Sequence, residues 1–562
     1  MLGIVLIIMT ITLTTTACDN GNGDSSGTQT KNYTVTFDAD NGSEPATQTV
    51  AEGSMATKPA NPAKDGYNFV YWFNAATDTE WDFNTAITTN ITLKAKWTTK
   101  PTYSVTFDAN NGTANTTQTV IEGGMVAEPS TPTKAYTTTA GLYLGAPPTT
   151  YTFVEWQKSD GSAWNFTTDT VTANITLTAQ WTVPTLIDLT DEIGNNIVEK
   201  AVSYVNANGG SEYTLVLGEN VNDVAPQTLD RDDTTLTITS DGNTERKISL
   251  GSTNGMLFYV GGTAEIFFNP ITIIEYPRSA KLIIDGPVTL EGRKDNDNAL
   301  LRVALGGNLT IKGNVKITGN KGGSGAGVYV GGNVTFTMEG GEISGNDGTG
   351  VDVRGGTFIM EGGEISGNKG GNGYSMVSGA AGGVFLQSNA TFIMKAGAKI
   401  TGNTGYDAPG GVSLYSSTFI MEGGEISNNT NLDALNTIAG GVSVIGSTFT
   451  MQGGVIFGNV CIDINSYYNY SLGAGVHIRN SGWTGDPATF TKTGGTIYGY
   501  TDGDDMSNIV KDGNGSPKTG KGHAVYVNDT HFRDTTVGPD DSISIISYGD
   551  GTTESAIGQW TD

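Results

Sequence analysis

Cysteine is nearly missing from these 562 residues; Cys18 and Cys461 are the only two. A disulfide framework is therefore excluded, and Cys461, inside the apolar "NVCIDI", reads as a buried, unreactive thiol. Basic residues are also scarce. Thirty Lys plus Arg stand against fifty-seven Asp plus Glu, a net charge of -27, which repels nucleic-acid phosphates and removes DNA and RNA from the candidate partners. Long amphipathic helices are nearly absent, and the one long apolar run, Leu2 to Leu13, is too short to span a bilayer comfortably. The acids are scattered and no Gly-Gly-x-Gly-x-Asp calcium repeat recurs, so neither a metal site nor a cofactor is expected.

What is abundant is glycine, seventy-nine residues, among runs of Thr, Asn, Val and Ile. That mixture describes an all-β chain with many tight turns. The opening "MLGIVLIIMTITLTTTAC" has the length of a signal-peptide apolar segment, and small residues precede Cys18. It resembles a bacterial lipoprotein signal over 1–18, although no Lys or Arg precedes the apolar run and Thr15 stands where Leu is usual. The resemblance implies lipid attachment at Cys18, a polar tether over 19–31, and a place in the cell envelope held to the membrane by that anchor.

Two related stretches follow, 32–98 and 102–182. "YTVTFDADNG", "YNFVYWFN", "EWDFNT" and "ITLKAKW" are matched in order by "YSVTFDANNG", "YTFVEWQKS", "AWNFTT" and "ITLTAQW". Alternating Tyr33, Val35 and Phe37 mark strands with one buried face, and Asn41-Gly42 suits a tight turn. Trp72, Trp81 and Trp97, with Trp156, Trp164 and Trp181, could stack sugars; modules this small without disulfides need such rings as core. Glu122 to Trp156 is 14 residues longer than Glu52 to Trp72, an insertion expected in a surface loop. In their entry, centre and closing "I-T-L-x-A-x-W", both stretches resemble the Listeria-Bacteroides repeat, the internalin B-repeat family. The resemblance implies β-grasp-like envelope modules without catalytic residues.

From Leu186 to Asp562 the chain repeats itself. "LTDEIGNNIVEKAVSYVNANGG" predicts one amphipathic helix, started by Thr190 or Asp191, in a cap over 186–250. Then a Val-x-Val strand, a Phe-x-Met strand, a Gly-Gly corner and Ile-Ser-Gly-Asn recur, with Phe336, Phe358, Phe392, Phe419, Phe449 and Phe490 in equivalent places. The tightest repeat, Phe336 to Phe358, spans 22 residues, enough for three short strands and their corners. The expected fold is a right-handed parallel β-helix, coils climbing by ~4.8 Å, with a C-terminal cap over about 500–562. As a coil pattern it resembles the pectin-lyase-like superfamily. Asn320, Asn346, Asn368, Asn403, Asn429 and Asn459 occupy one corner and are expected to form an inward structural ladder.

Three places could carry function. The slack between ladder asparagine and the next Val-x-Val strand holds Tyr374, Tyr406, Tyr467, Tyr468 and Tyr470, a candidate edge for a glycan or for a host or envelope protein, or else loops folded over their own aromatics. At the Gly-Gly corner, Glu339, Glu361, Lys395 and Glu422 align, as do Glu342, Glu364, Lys399 and Glu425; the interrupting lysines fit a solvated surface better than paired catalytic acids. Asp504, Asp505 and His523 resemble fragments of a polygalacturonase pattern, but the upstream Asn-Thr-Asp and the Arg-Ile-Lys are missing. Sequence therefore points to a non-catalytic envelope protein that displays a β-helix for binding on a stalk of modules, with a polysaccharide hydrolase or lyase as the alternative.

Overall fold

A computed structural model describes residues 30–183, 185–268, 271–321, 327–370, 380–406, 408–432, 439–463, 473–481, 486–499, 505–517, 525–527, 531–534 and 543–547. They form two units, one of residues up to 134 with 153–182, the other of 135–152 with 183 onward.

In the first unit each module is built on a parallel central pair. Asn32–Asp38 runs beside Ile91–Thr99, with Val35 opposite Ile91, and Thr102–Asp108 runs beside Ile175–Thr182 in the same way. Antiparallel neighbours complete a five-stranded and a four-stranded sheet. No helix crosses either sheet among the described residues, so the β-grasp likeness is confined to the strands. Phe37 meets Trp72 edge-on at 5.3 Å, and Phe107 meets Trp156 at 5.1 Å. Trp72, Trp156 and Trp164 are buried, while Trp97 and Trp181 donate their indole N–H to Ala39 O and Ala109 O. The tryptophans therefore pack the cores rather than face solvent as sugar platforms.

The second unit is a parallel β-helix of ten coils, counted on its third face. The first face stacks strands such as Thr335–Met338, Thr418–Met421 and Thr448–Met451; the second stacks Glu342–Ser344, Glu425–Ser427 and Val455–Phe457; the third stacks Val328–Val330, Val351–Arg354, Val384–Gln387 and Val412–Tyr415. Parallel register sets like upon like. Phe358 lies over Phe336 at 4.9 Å, and the rings continue stacked through Phe392, Phe419, Phe449 and Phe490 at 4.7 to 5.0 Å, the spacing of the strands themselves. All six are fully buried. The Gly-Gly corner is needed sterically as well as conformationally: Gly454 has φ +87°, and a β-carbon there would lie 2.6 Å from Gly424 O.

Three features depart from the sequence reading. The coil has a fourth face from Asn368 onward, made of short strands such as Lys369–Gly370, Thr404–Gly405 and Val460–Asp463, and Cys461 is buried beneath it against Ala474 and Val510. The helix is Ile197–Asn208 and begins at Asn196, whose side chain accepts from the Val198 and Glu199 amides at 3.1 and 3.0 Å; Thr190 and Asp191 lie outside it and Ile193 is exposed. The 14-residue insertion is no surface loop. Its strand Gly141–Leu144 pairs antiparallel with Glu212–Leu217, burying Leu142 and Tyr143 and covering the open edge of the first coil. At the other end Ile543–Ser547 pairs antiparallel with Thr489–Lys492, so the first face is closed at both ends by reversed strands.

Candidate functional site

A parallel β-helix alternates inward and outward residues along each strand, so every column of side chains faces either the core or the outside. The inward asparagine column is a closed network. Asn403 Oδ1 accepts from the Asn368 backbone N–H at 3.1 Å and from Asn368 Nδ2 at 3.0 Å, while Asn403 Nδ2 donates to Ile365 O at 2.8 Å and to Asn429 Oδ1 at 3.0 Å. Asn320, Asn346, Asn429 and Asn459 are buried and linked in the same manner, and Asn296 and Asn508 extend the column at either end. Its donors and acceptors are spent within the protein.

Four lysines at the Gly-Gly corner are each paired with a glutamate of the neighbouring coil. Lys312 meets Glu339 at 3.2 Å, Lys316 meets Glu342 at 3.4 Å, Lys395 meets Glu361 at 2.5 Å and Lys399 meets Glu425 at 3.5 Å. An open groove of about 750 Å³ beside them is lined by Asn243, Glu245, Asn314, Lys316, Glu342 and Glu364. Alternating columns of this kind neutralise a surface.

The outward column of the third face is different. In register from coil to coil it runs Tyr259, Arg302, Tyr329, Asp352, Phe385, Ser413, Ser443, His477. These are the residues between the inward Val-x-Val pairs, which no local pattern picks out. The signal that finds them is the weakness of repetition: Tyr and Ser each recur, but Arg, Asp, Phe and His appear once each, in a place where the flanking residues stay apolar. Asp352, Phe385, Ser413, Ser443 and His477 are buried, and the hydroxyls of Ser413 and Ser443 have no hydrogen-bond partner among the described residues. Asp352 is held by Arg354, with Nε at 3.1 Å and Nη2 at 2.9 Å from Oδ2; burial pushes its carboxyl above the ordinary 3.8, against the pull of that arginine. Burial likewise raises the Tyr259 phenol, opposed by the charge of Arg302.

At the half-buried end of the column, aromatic and cationic groups alternate. The Arg302 guanidinium lies 4.6 Å from the Tyr329 ring centre and 5.8 Å from that of Tyr259, and Arg354 approaches the Tyr329 ring at 5.5 Å. Arg354 has its carboxylate; Arg302 has none within ion-pair distance among the described residues, and its Nε is buried without an acceptor.

Other sequence candidates fall elsewhere. Tyr406 is exposed beside the fourth face, whereas Tyr374, Tyr467, Tyr468, Tyr470, Cys18, Asp504 and His523 lie outside the described residues. Asp505 is exposed in a turn. No group of three or more His, Cys, Asp or Glu side chains that could hold a metal occurs among the described residues.

Residues 33–96 and 103–180 match the Listeria-Bacteroides repeat domain. The chain is 31% identical over 155 residues to a protein of Evansella cellulosilytica named as a membrane protein, 33% over 153 residues to one named as a Gly-rich membrane protein of the same organism, and 36% over 159 residues to internalin H of Listeria monocytogenes. Each alignment takes in 27% of this chain and covers 21%, 16% and 26% of the respective relative. No solved structure matches the chain.

Proposed function

We propose that this chain is a non-catalytic bacterial envelope protein whose β-helix binds a glycan at the half-buried end of the outward column of its third face, with the two modules as spacer units and Cys18 as lipid attachment point. The observation that carries the binding reading is the half-buried run of Tyr259, Arg302 and Tyr329, aromatic edges and phenol groups around an arginine fork on a rigid strand ladder. Envelope display is supported by the repeat-domain match of both modules and by relatives named as membrane proteins and an internalin.

A glycan array run beside a reducing-end assay on the purified protein tests the reading. Binding without new reducing ends, weakened in Tyr329→Ala, is expected. If binding instead survives Tyr329→Ala and is lost in Tyr467→Ala/Tyr468→Ala/Tyr470→Ala, the tyrosine edge is the working surface. New reducing ends that vanish in Asp505→Asn would replace the reading with a hydrolase. Silence on the array would reject glycan binding and leave a protein partner. Loss of the protein from protease-treated intact cells, and its retention when Cys18 is replaced by Ser only as released material, would check display and anchoring.

A further inference from the structure

We infer that the Arg302 guanidinium is a site for one oxyanion, the carboxylate or sulfate of a single acidic sugar within the bound glycan. This rests on the glycan-binding reading and adds the chemical class of what is bound.

The inference starts from an imbalance. The chain carries a net charge of -27, and the corner lysines Lys312, Lys316, Lys395 and Lys399 each meet a glutamate. Arg354, on the same face as Arg302, has Asp352, and with the Gln387 amide turned toward it also donates Nε to Gln387 Oε1 at 2.8 Å. Arg302 is held on the face of Tyr329 at 4.6 Å, half-buried, with neither ion pair nor hydrogen bond among the described residues; its Nε is buried, which leaves the Nη end of the fork as the part that can meet a ligand. A guanidinium without a counter-charge is a ready partner for an anion, and its two Nη groups match a carboxylate or sulfate bidentately. The rings of Tyr259 and Tyr329 flank it one coil to either side, in register, and hold the guanidinium in place by cation–π contact, so little freedom is lost when an anion binds it.

The whole-chain charge narrows the ligand further. A long polyanion would meet the repulsion of an acidic surface, whereas one charge at the Arg302 fork is compensated locally, and the remaining field is screened over about 8 Å at physiological salt. The fitting ligand is thus an otherwise neutral glycan with an isolated acidic residue.

Saturation-transfer NMR on the full-length protein with methyl glucuronide, methyl glucoside and methyl glucoside 6-sulfate tests this. The glucuronide or the sulfate is expected to bind about tenfold or more tightly than the glucoside, and whichever acid binds better identifies the source of the oxyanion. Arg302→Gln, with its melting midpoint unchanged, is expected to bring acidic and neutral sugars to equal affinity, and Arg302→Lys to retain part of the difference. Equal binding of acid and neutral sugar by the wild type, or an acid preference that survives Arg302→Gln, would overturn the inference while leaving glycan binding intact. Failure of all three sugars with a positive neutral-glycan array would overturn the inference alone; failure of the array as well would remove the reading beneath it.

Discussion

The phenylalanine column and the outward column of the third face are made of equally regular strands, yet one repeats a single residue six times and the other scarcely repeats at all. Inside the cylinder each ring is the floor for the next, so a change in one coil is felt by both neighbours. Outside, the coils share the backbone ladder and a few side-chain contacts rather than a packed core, so each position is freer to carry its own chemistry. In a solenoid, then, repetition reports packing and its interruption reports use. The corner Glu and Lys columns lie between these extremes: outward, but repetitive, because alternate charges satisfy one another.

The largest effect that could break this comparison is at Phe392, stacked between Phe358 at 4.9 Å and Phe419 at 4.7 Å. Phe392→Ala is expected to cost about 3–5 kcal/mol in denaturant unfolding followed by the β-sheet circular dichroism signal. A loss under about 1 kcal/mol would mean that the stack is not what holds the coils. Next comes Asn403→Ala, which leaves the Asn368 amide, the Asn368 side chain and Ile365 O short of a partner; at roughly 1–3 kcal/mol for an orphaned buried group, a loss of about 2–4 kcal/mol is expected by the same measurement.

How much of this was legible follows from where each signal resides. Coil architecture was readable because parallel stacking forces Val, Phe, Met and Ile to recur at fixed spacing. The helix start was misplaced because Asn196 is one of several Asx and Thr residues ahead of the apolar stripe; what selects it is Glu199, three residues on, whose carboxylate reaches back to the Asn195 N–H at 2.7 Å and across to the Ala225 N–H at 2.9 Å. The insertion strand Gly141–Leu144 was invisible because its partner, Glu212–Leu217, begins some seventy residues later. The two-residue strands of the fourth face are too short to show alternation. Of the site, the face was implied by the Val-x-Val grammar, but Arg302 and Tyr329 emerge only when coils are laid over one another.

A third, smaller effect separates two buried carboxyls by pH. Burial opposes ionisation of Glu199, yet the Asn195 and Ala225 amides and the Asn196 side chain hold its carboxyl below the ordinary 4.5. Its stabilisation is present above the unfolded-state value and lost as pH falls through the lower folded value. Asp352 has the reverse sign: burial raises its folded value despite Arg354, so its contribution is full below the ordinary 3.8 and is lost as pH rises through the folded value. In melts between pH 7 and pH 3, wild type should gain on Asp352→Asn as the pH falls and lose its advantage over Glu199→Gln. Parallel curves for Asp352→Asn would show that Arg354 fully offsets the burial.

The smallest effect sharpens the comparison from the outside. Lys395 reaches Glu361 at 2.5 Å, which holds the ammonium above its ordinary value, but both side chains are about two-fifths exposed. An exposed pair gains little, since water and salt screen it and two flexible chains must be held still. Lys395→Gln should therefore leave the melting midpoint within experimental scatter, and whatever shift exists should vanish in high salt. Lys395→Glu is more telling, because it sets a negative charge between Glu361 and Glu422, while the column's other lysine, Lys312, is two coils from Glu361 and paired with Glu339. A modest, salt-relieved drop for that variant alone would show that the column is kept alternating to avoid repulsion rather than to gain attraction. A large drop for Lys395→Gln would mean that an outward repeat can be as structural as an inward one, and that repetition cannot by itself separate packing from surface.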